Sequence, residues 1–414
     1  MSLMKTMNIG MTGMNAHTAA MSVISDNIAN VNTLGFKASR ARFQDLMAST
    51  QLGVGDGVSM AGTQQQFGQG SLEATGNALD LAVAGDGFLM VRSDTPGEEG
   101  TFLTRSGGFT IDNEGFVASP DGMRLQGYGV DGNGNVSQTR LGDIQVGDAS
   151  APPNATSEAQ MRLNLGAGTE ISGPFDPADP SGSSNFASST TVYDSLGNAI
   201  DADAYYVKTA ENTWEVHVMI DGGDSAGGTA GTPLEIGTST LDFDTDGALT
   251  AGSPLTLSMT PAGATSPQTI ELDLTGTTQF AGESAVSFAS QDGYGAGELR
   301  GLEISDDGTM MGVFSNGEQI ALGQVALAKV SAPEFLDRLG GNLWRVTQQS
   351  GEALAGAPSS GGRGAMVSGA VEGSNVDITY EFVKMIATQR GFQANSRSIT
   401  TADQMITEAI QLKR

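Results

Sequence analysis

The stretch SNVDITYEFVKMIATQRGFQANSRSITTADQMITEAIQL, residues 374–412, decides how the rest of the chain must be built. Ile378, Met385, Phe392, Ile399 and Ile406 recur in it every seven residues, and Ala402 and Ala409 stand three places beyond the last two. That is the spacing of a helix that packs lengthwise against another helix. Ser374 with Asp377 three residues on reads as a capping-box start. No proline interrupts the run to Leu412, so one helix of roughly 58 Å is expected at about 1.5 Å per residue. A single stripe of this kind also fits an amphipathic helix lying on its own domain.

The other end of the chain argues for a paired helix. Met14, Met21 and Ile28 repeat every seven residues, and Ile24 and Val31 form a second row three places on. The pattern predicts a helix from Met7 to Val31, weakened at its start by Gly10 and Gly13 and ended by Asn30, Asn32 and Gly35. Six methionines fall in the first 21 residues. They suit either a packing surface that accepts more than one geometry or ordinary core filling. Between the two helices lies a glycine-rich middle with no comparable helix, so they have little except each other and neighbouring copies to bury against. A coiled coil of chain ends in an assembling protein follows.

With 58 glycines against 13 prolines and no Gly-X-Y period, the middle is expected to be short strands joined by tight turns. The formal charge of −27 is uneven: from Leu163 to Leu299 there are 19 acidic residues and one basic residue, Lys208. An acidic centre with near-neutral ends excludes nucleic acid as the expected partner, since phosphate binding needs clustered Lys and Arg. The absence of cysteine excludes disulfides, thiolate metal sites and a cysteine nucleophile. There is no secretory signal pattern and no apolar run long enough for a membrane span, so any exit from the cytoplasm is expected to use another route.

Short runs quoted in chain order form a set. Ser25-Asp26-Asn27-Ile28-Ala29-Asn30-Val31-Asn32-Thr33 is followed by Gly35-Phe36-Lys37, then Gly70-Ser71-Leu72-Glu73, Leu79-Asp80-Leu81-Ala82-Val83, Gly85-Asp86-Gly87-Phe88 and Thr104-Arg105-Ser106-Gly107-Gly108-Phe109. At the far end stand Ser374-Asn375-Val376-Asp377, Glu381-Phe382-Val383, Thr388-Gln389-Arg390-Gly391-Phe392-Gln393-Ala394-Asn395 and Thr400-Thr401-Ala402-Asp403-Gln404-Met405. Together they resemble the signatures of the bacterial flagellar rod and hook protein family. Phe43-Gln44-Asp45-Leu46-Met47 resembles the aromatic-x-x-x-apolar motif by which such subunits are read at the export gate, which makes Phe43 and Met47 candidates for that role.

The resemblance implies a subunit exported through the flagellar type III apparatus and polymerised outside the cell into a curved tube that joins rod and filament. Its partners would be further copies of itself, the distal rod protein, the hook cap protein, the hook–filament junction protein and the export apparatus. Within the family, the large span from Ala149 to Ser290 favours the hook branch over the shorter distal rod branch. A rival of another class is a secreted calcium-binding β-protein whose acidic turns would be ligands.

The expected fold class is α+β. Residues 1–33 and 374–414 form the helical coiled coil, and 34–78 an extended linking segment. Residues 79–148 and 291–373 form one discontinuous β domain, with Asn316-Gly317 its best hairpin signal. Residues 149–290 form an inserted acidic outer β domain large enough for its own core.

Chemistry-bearing motifs are weak. Gly127 to Gly132 fits G-x-G-x-x-G, but a turn follows where a dinucleotide site needs a helix N-terminus. Asp242 to Gly247 matches half a calcium loop, yet its twelfth position is Ser253, and Leu241, Phe243 and Leu249 read better as strands around an acidic turn. His17, on the second heptad row, reads as a packed histidine, and with His217 it completes the chain's histidines. No enzyme, cofactor or metal site is expected.

Overall fold

The computed structural model describes residues 3–47, 55–94, 99–131, 134–147 and 149–411. The chain divides into two compact units, one of Met1–Ala149, Gly301–Val313 and Gln319–Arg414, the other of Ser150–Arg300 and Phe314–Glu318.

In the first unit the N-terminal helix runs Leu3–Ala29 and the C-terminal helix Ile378–Gln411. The latter's 34 residues span about 51 Å at 1.5 Å each. The expected end at Leu412 lies outside the described residues. Ser374 does not start this helix. Its Oγ accepts from Val376 N in the turn before, while Asp377 Oδ1 caps the first turn by accepting from Tyr380 N at 3.0 Å. The helix starts late because Ala370–Glu372 pairs as a strand with Leu72–Ala74 and Asn375 is bonded to the linking segment. The two helices pack antiparallel. A Cβ on Gly10 would lie 2.9 Å from Ile399, one on Gly13 2.7 Å from Asn395, and one on Gly391 2.6 Å from His17.

The linking segment is extended, as a hairpin. Strand Ser39–Leu46 pairs antiparallel with Gly57–Gln65, from Ser39 opposite Gln65 to Leu46 opposite Gly57, with a bulge between Arg42 and Phe43. Gly53 and Val54, part of the glycine-rich run expected here, lie outside the described residues. Beyond it, the hairpin of Phe88–Ser93 and Gly100–Thr104 joins strand Arg124–Val130, which also pairs with Val136–Asp143 and Gln319–Val325. Leu81, Leu89, Val91, Phe109, Val117, Leu125 and Val146 share one core with Met310, Val325, Leu327 and Met366, so both strand regions fill a single interior. Thr309–Phe314 and Gln319–Val325 pair around Asn316-Gly317, where Gly317 takes φ +87°. The G-x-G-x-x-G run begins on Arg124–Val130, the next strand is Val136–Asp143, and Gly132 lies outside the described residues.

The second unit holds a five-stranded antiparallel meander of Phe186–Tyr193, Ala199–Ala210, Thr213–Asp221, Pro233–Phe243 and Leu249–Ala251. A four-stranded sheet of spatial order Leu255–Met259, Gln268–Asp273, Glu158–Asn164 and Ala285–Gln291 completes it. Alternate residues of both, among them Met161, Leu163, Tyr206, Trp214, Leu257 and Ile270, form its core, as period-two patterning requires. This unit extends to Arg300 rather than Ser290 and takes in the Phe314–Glu318 turn, because Ser150–Ala151 pairs with Gly297 and Glu298 and Asn316 donates to Gly295 O. The Asp242–Gly247 turn is closed by its own carboxylate: Asp244 Oδ1 accepts from Asp246 N and Ala248 N at 2.9 and 2.8 Å. Leu241 and Phe243 are buried there and Leu249 is packed against them.

Candidate assembly surface

The helix pair is tied to the rest of its unit by a buried ion cluster. Lys37 follows the N-terminal helix, Arg105 follows the strand Gly100–Thr104 of the β core, and Glu372 precedes the C-terminal helix. Glu372 Oε1 accepts from Lys37 Nζ at 2.7 Å and from Gly70 N at 2.8 Å, and its Oε2 from Arg105 Nη1 at 3.0 Å. The side chains of Lys37 and Glu372 are fully buried. The surplus positive charge is spread over carbonyls, with Lys37 donating to Gly68 O and Arg105 to Val83 O and Gly85 O. Burial holds the Lys37 ammonium below the usual lysine range; the Glu372 hydrogen bond and charge oppose this, and the Arg105 charge adds to it.

Two asparagines fix where each helix meets the hairpin. Asn27, 1% exposed, exchanges both hydrogen bonds of its amide with the backbone of Ser39 at 2.8 Å. Asn375 accepts from Ala38 N at 2.7 Å and donates to Gln66 O and Gly68 O. An amide side chain copies a peptide group, so each asparagine acts as one more rung of the hairpin. Arg338 pairs with Asp26 at 3.1 Å and stacks over Phe36.

The heptad residues come together only in part. Met385, Phe392, Ile399 and Ile406 are half-buried, whereas Ile378 is exposed at the open start of its helix. On the N-terminal helix the buried line is Gly10, Gly13, Ala16, Ala20, Ile24 and Asn27. Ile24 lies on it, while Met14, Met21, Ile28 and Val31 are half-buried. The glycines expected merely to weaken the helix are where the partner helix comes closest. Sequence reading missed them because small residues carry no hydrophobic signal, although their recurrence at helical spacing is visible. It quoted Asn27, Lys37, Arg105 and Asn375 without their roles. Glu372, directly after the buried Ala370 and Val371, escaped it entirely.

A set of apolar side chains is left facing outward. Tyr380, Phe382, Val383 and Ile386 are each between 49% and 61% exposed over the first turns of the C-terminal helix. Met4, Met11, Met405 and Ile410 are exposed toward the other end of the helix pair. Phe43 and Met47, the export candidates, are exposed on and just after the first strand of the hairpin.

Comparison with known proteins gives four matches in chain order. The family described as flagella basal body rod protein matches residues 7–37, and the flagellar hook protein FlgE/F/G D1 domain matches 82–159. The flagellar basal body protein FlaE D2 domain matches 130–294, and the flagellar basal body rod FlgEFG protein C-terminal family matches 367–412. Flagellar hook protein FlgE of Salmonella typhimurium is 35% identical over 97% of this chain and 98% of its own length. Its counterpart in Brucella suis is 32% identical over the whole of both chains. A crystal structure of Helicobacter pylori flagellar hook protein FlgE2 matches 71% of this chain and 98% of its own, at 14% identity and a TM-score of 0.48.

Proposed function

The chain belongs to the bacterial flagellar hook protein family, and on that premise we propose that it is the structural subunit of a flagellar hook. Copies join through their terminal helices, as a coiled-coil inner layer, into a curved tube that works as a universal joint between rod and filament. The observation that carries this reading is the outward apolar set of Tyr380, Phe382, Val383 and Ile386. A helix whose first turns carry apolar side chains on the outward side as well as on the packed side is built to be covered on more than one side, and full burial of such a side chain contributes about 1.5 to 3 kcal/mol. The antiparallel helix pair covers one side, and neighbouring copies cover the others, together with the half-buried seam of Met385, Phe392, Ile399 and Ile406. The acidic second unit supports the hook over the distal rod branch, since the FlaE D2 domain match falls on residues 130–294.

Electron microscopy of the purified full chain tests this directly. Tubes are expected to form without calcium; a chain that stays monomeric at every concentration and salt would end the assembly reading, and calcium-dependent melting would favour the secreted β-protein. Export through the flagellar apparatus, with the distal rod, cap and junction proteins met on the way, is the companion proposal. It is supported by Phe43 and Met47 standing exposed on the hairpin. Phe43→Ala is expected to lower secretion with expression unchanged, and normal secretion would move the signal elsewhere.

A further inference from the structure

Glu381 lies one turn inside the C-terminal helix and is 3% exposed. It lines a groove of about 250 Å³ whose apolar wall includes Val23 and Ile24 of the N-terminal helix, Phe43 of the hairpin and Ala387. One carboxylate oxygen, Oε1, accepts from Lys384 Nζ at 2.8 Å. The other, Oε2, is buried with no hydrogen-bond partner, although Arg40 also lines the groove. A carboxylate oxygen removed from water without a donor carries a desolvation cost that the lysine on the other oxygen offsets only in part. The same unit contains the completed version of this arrangement. Glu372 has a lysine on Oε1 and an arginine on Oε2, whereas Glu381 has only the lysine.

We propose that Oε2 of Glu381 takes the guanidinium of an arginine from a second copy of this chain, carried on the outward face of that copy's C-terminal helix. Arg390 and Arg397 stand there a heptad apart, exposed and away from the row that meets the N-terminal helix. None of the ion pairs among the described residues involves either one. The groove admits one side chain rather than a helix. An arginine fits it in both parts, the aliphatic stem against the apolar wall and the planar fork on the carboxylate. Groove and arginine lie on different faces of the chain, so the contact is head-to-tail, the kind that adds further copies instead of closing a two-fold dimer. The proposal rests on the assembly reading and assigns it a polar lock.

The test is a double-mutant cycle on the full-length chain, read as the critical concentration for sedimenting polymer beside the melting temperature of the monomer. Glu381→Gln and the matching Arg390→Gln or Arg397→Gln are each expected to raise the critical concentration about tenfold, the scale of one lost charge-assisted hydrogen bond. The double variant should be hardly worse than either single one, with the monomer melt unchanged by the arginine variants. Effects of Glu381→Gln that simply add to those of both arginine variants overturn the proposal. So does coupling to Arg40→Gln in the monomer melt, which places the donor within the same copy. Wild-type chain that never forms polymer removes the assembly reading along with it, whereas normal polymer without coupling removes the lock alone.

Discussion

At Glu372 a single carboxylate pairs with two cations that reach it from 335 and 267 residues away along the chain. Removing its charge leaves Lys37 and Arg105 buried with carbonyls alone. Glu372→Gln is therefore expected to cost about 3 to 5 kcal/mol, the range for breaking a buried pair from one side, and urea denaturation of the full chain measures it. An unchanged midpoint would mean that the surrounding carbonyls already hold both cations. Asp273 offers a test in the second unit. Hydrogen bonds from Thr275, then Gln160 and Ser253, hold its carboxyl far below the usual range against the opposing effect of burial. Because the folded value is depressed, unfolding takes up a proton in acid. The stability it contributes is present above about pH 3.9 and is lost as the pH falls toward the folded value. Asp273→Asn should therefore lower the melting temperature clearly at pH 7 and by a smaller amount at about pH 2.5, part-way through the window in which the contribution is lost. Equal losses at both would show that the carboxylate's charge is not what matters.

At the scale of elements, the helix pair depends on how closely two backbones approach. At Gly391 a Cβ would come within 2.6 Å of the His17 ring, while alanine there would favour the helix by about 1 kcal/mol. The ring is the movable end of a side chain, so Gly391→Ala should leave pairing nearly unchanged. Gly391→Leu cannot fit by moving the ring alone, and it should expose both helices to limited proteolysis and prevent polymer from sedimenting. Ends as resistant as the wild type's would show that the crossing is looser than the geometry implies. The existence of both helices was legible because a seven-residue apolar period survives in sequence, and the Asn316-Gly317 hairpin because its turn chemistry is local. The buried row of the N-terminal helix was not, since Gly10, Gly13, Ala16 and Ala20 pack by being small. The late start of the C-terminal helix was hidden for a related reason: strand pairing by Ala370–Glu372 and the bonds of Asn375 are tertiary, and they override a local cap at Ser374. The ion cluster was hidden more completely, because its members share nothing in sequence but a place in separate motifs.

At the scale of the whole chain, the two units keep separate interiors. The buried core of the second is drawn from residues 159–274, and none of those residues belongs to the cores of the first. The chain leaves and returns side by side, Ser150 opposite Glu298 and Ala151 opposite Gly297, so residues 152–296 can be removed and the ends joined through a short glycine turn without stretching either strand. Loop-closure entropy favours such a join, since the connection becomes far shorter. The deletion also removes most of the acidic excess, which in a polymer would sit as like charges on every copy and repel over about one Debye length, about 10 Å at 0.1 M salt. The shortened chain is expected to fold, to keep the terminal helices paired, and to polymerise with a critical concentration less sensitive to salt than the full chain's. Melting and limited proteolysis establish whether it folds, and sedimentation across a salt series reads assembly. A shortened chain that melts as a folded protein yet never forms polymer would make the second unit a necessary part of the tube wall, and the assembly surface could then no longer be confined to the helices and the hairpin.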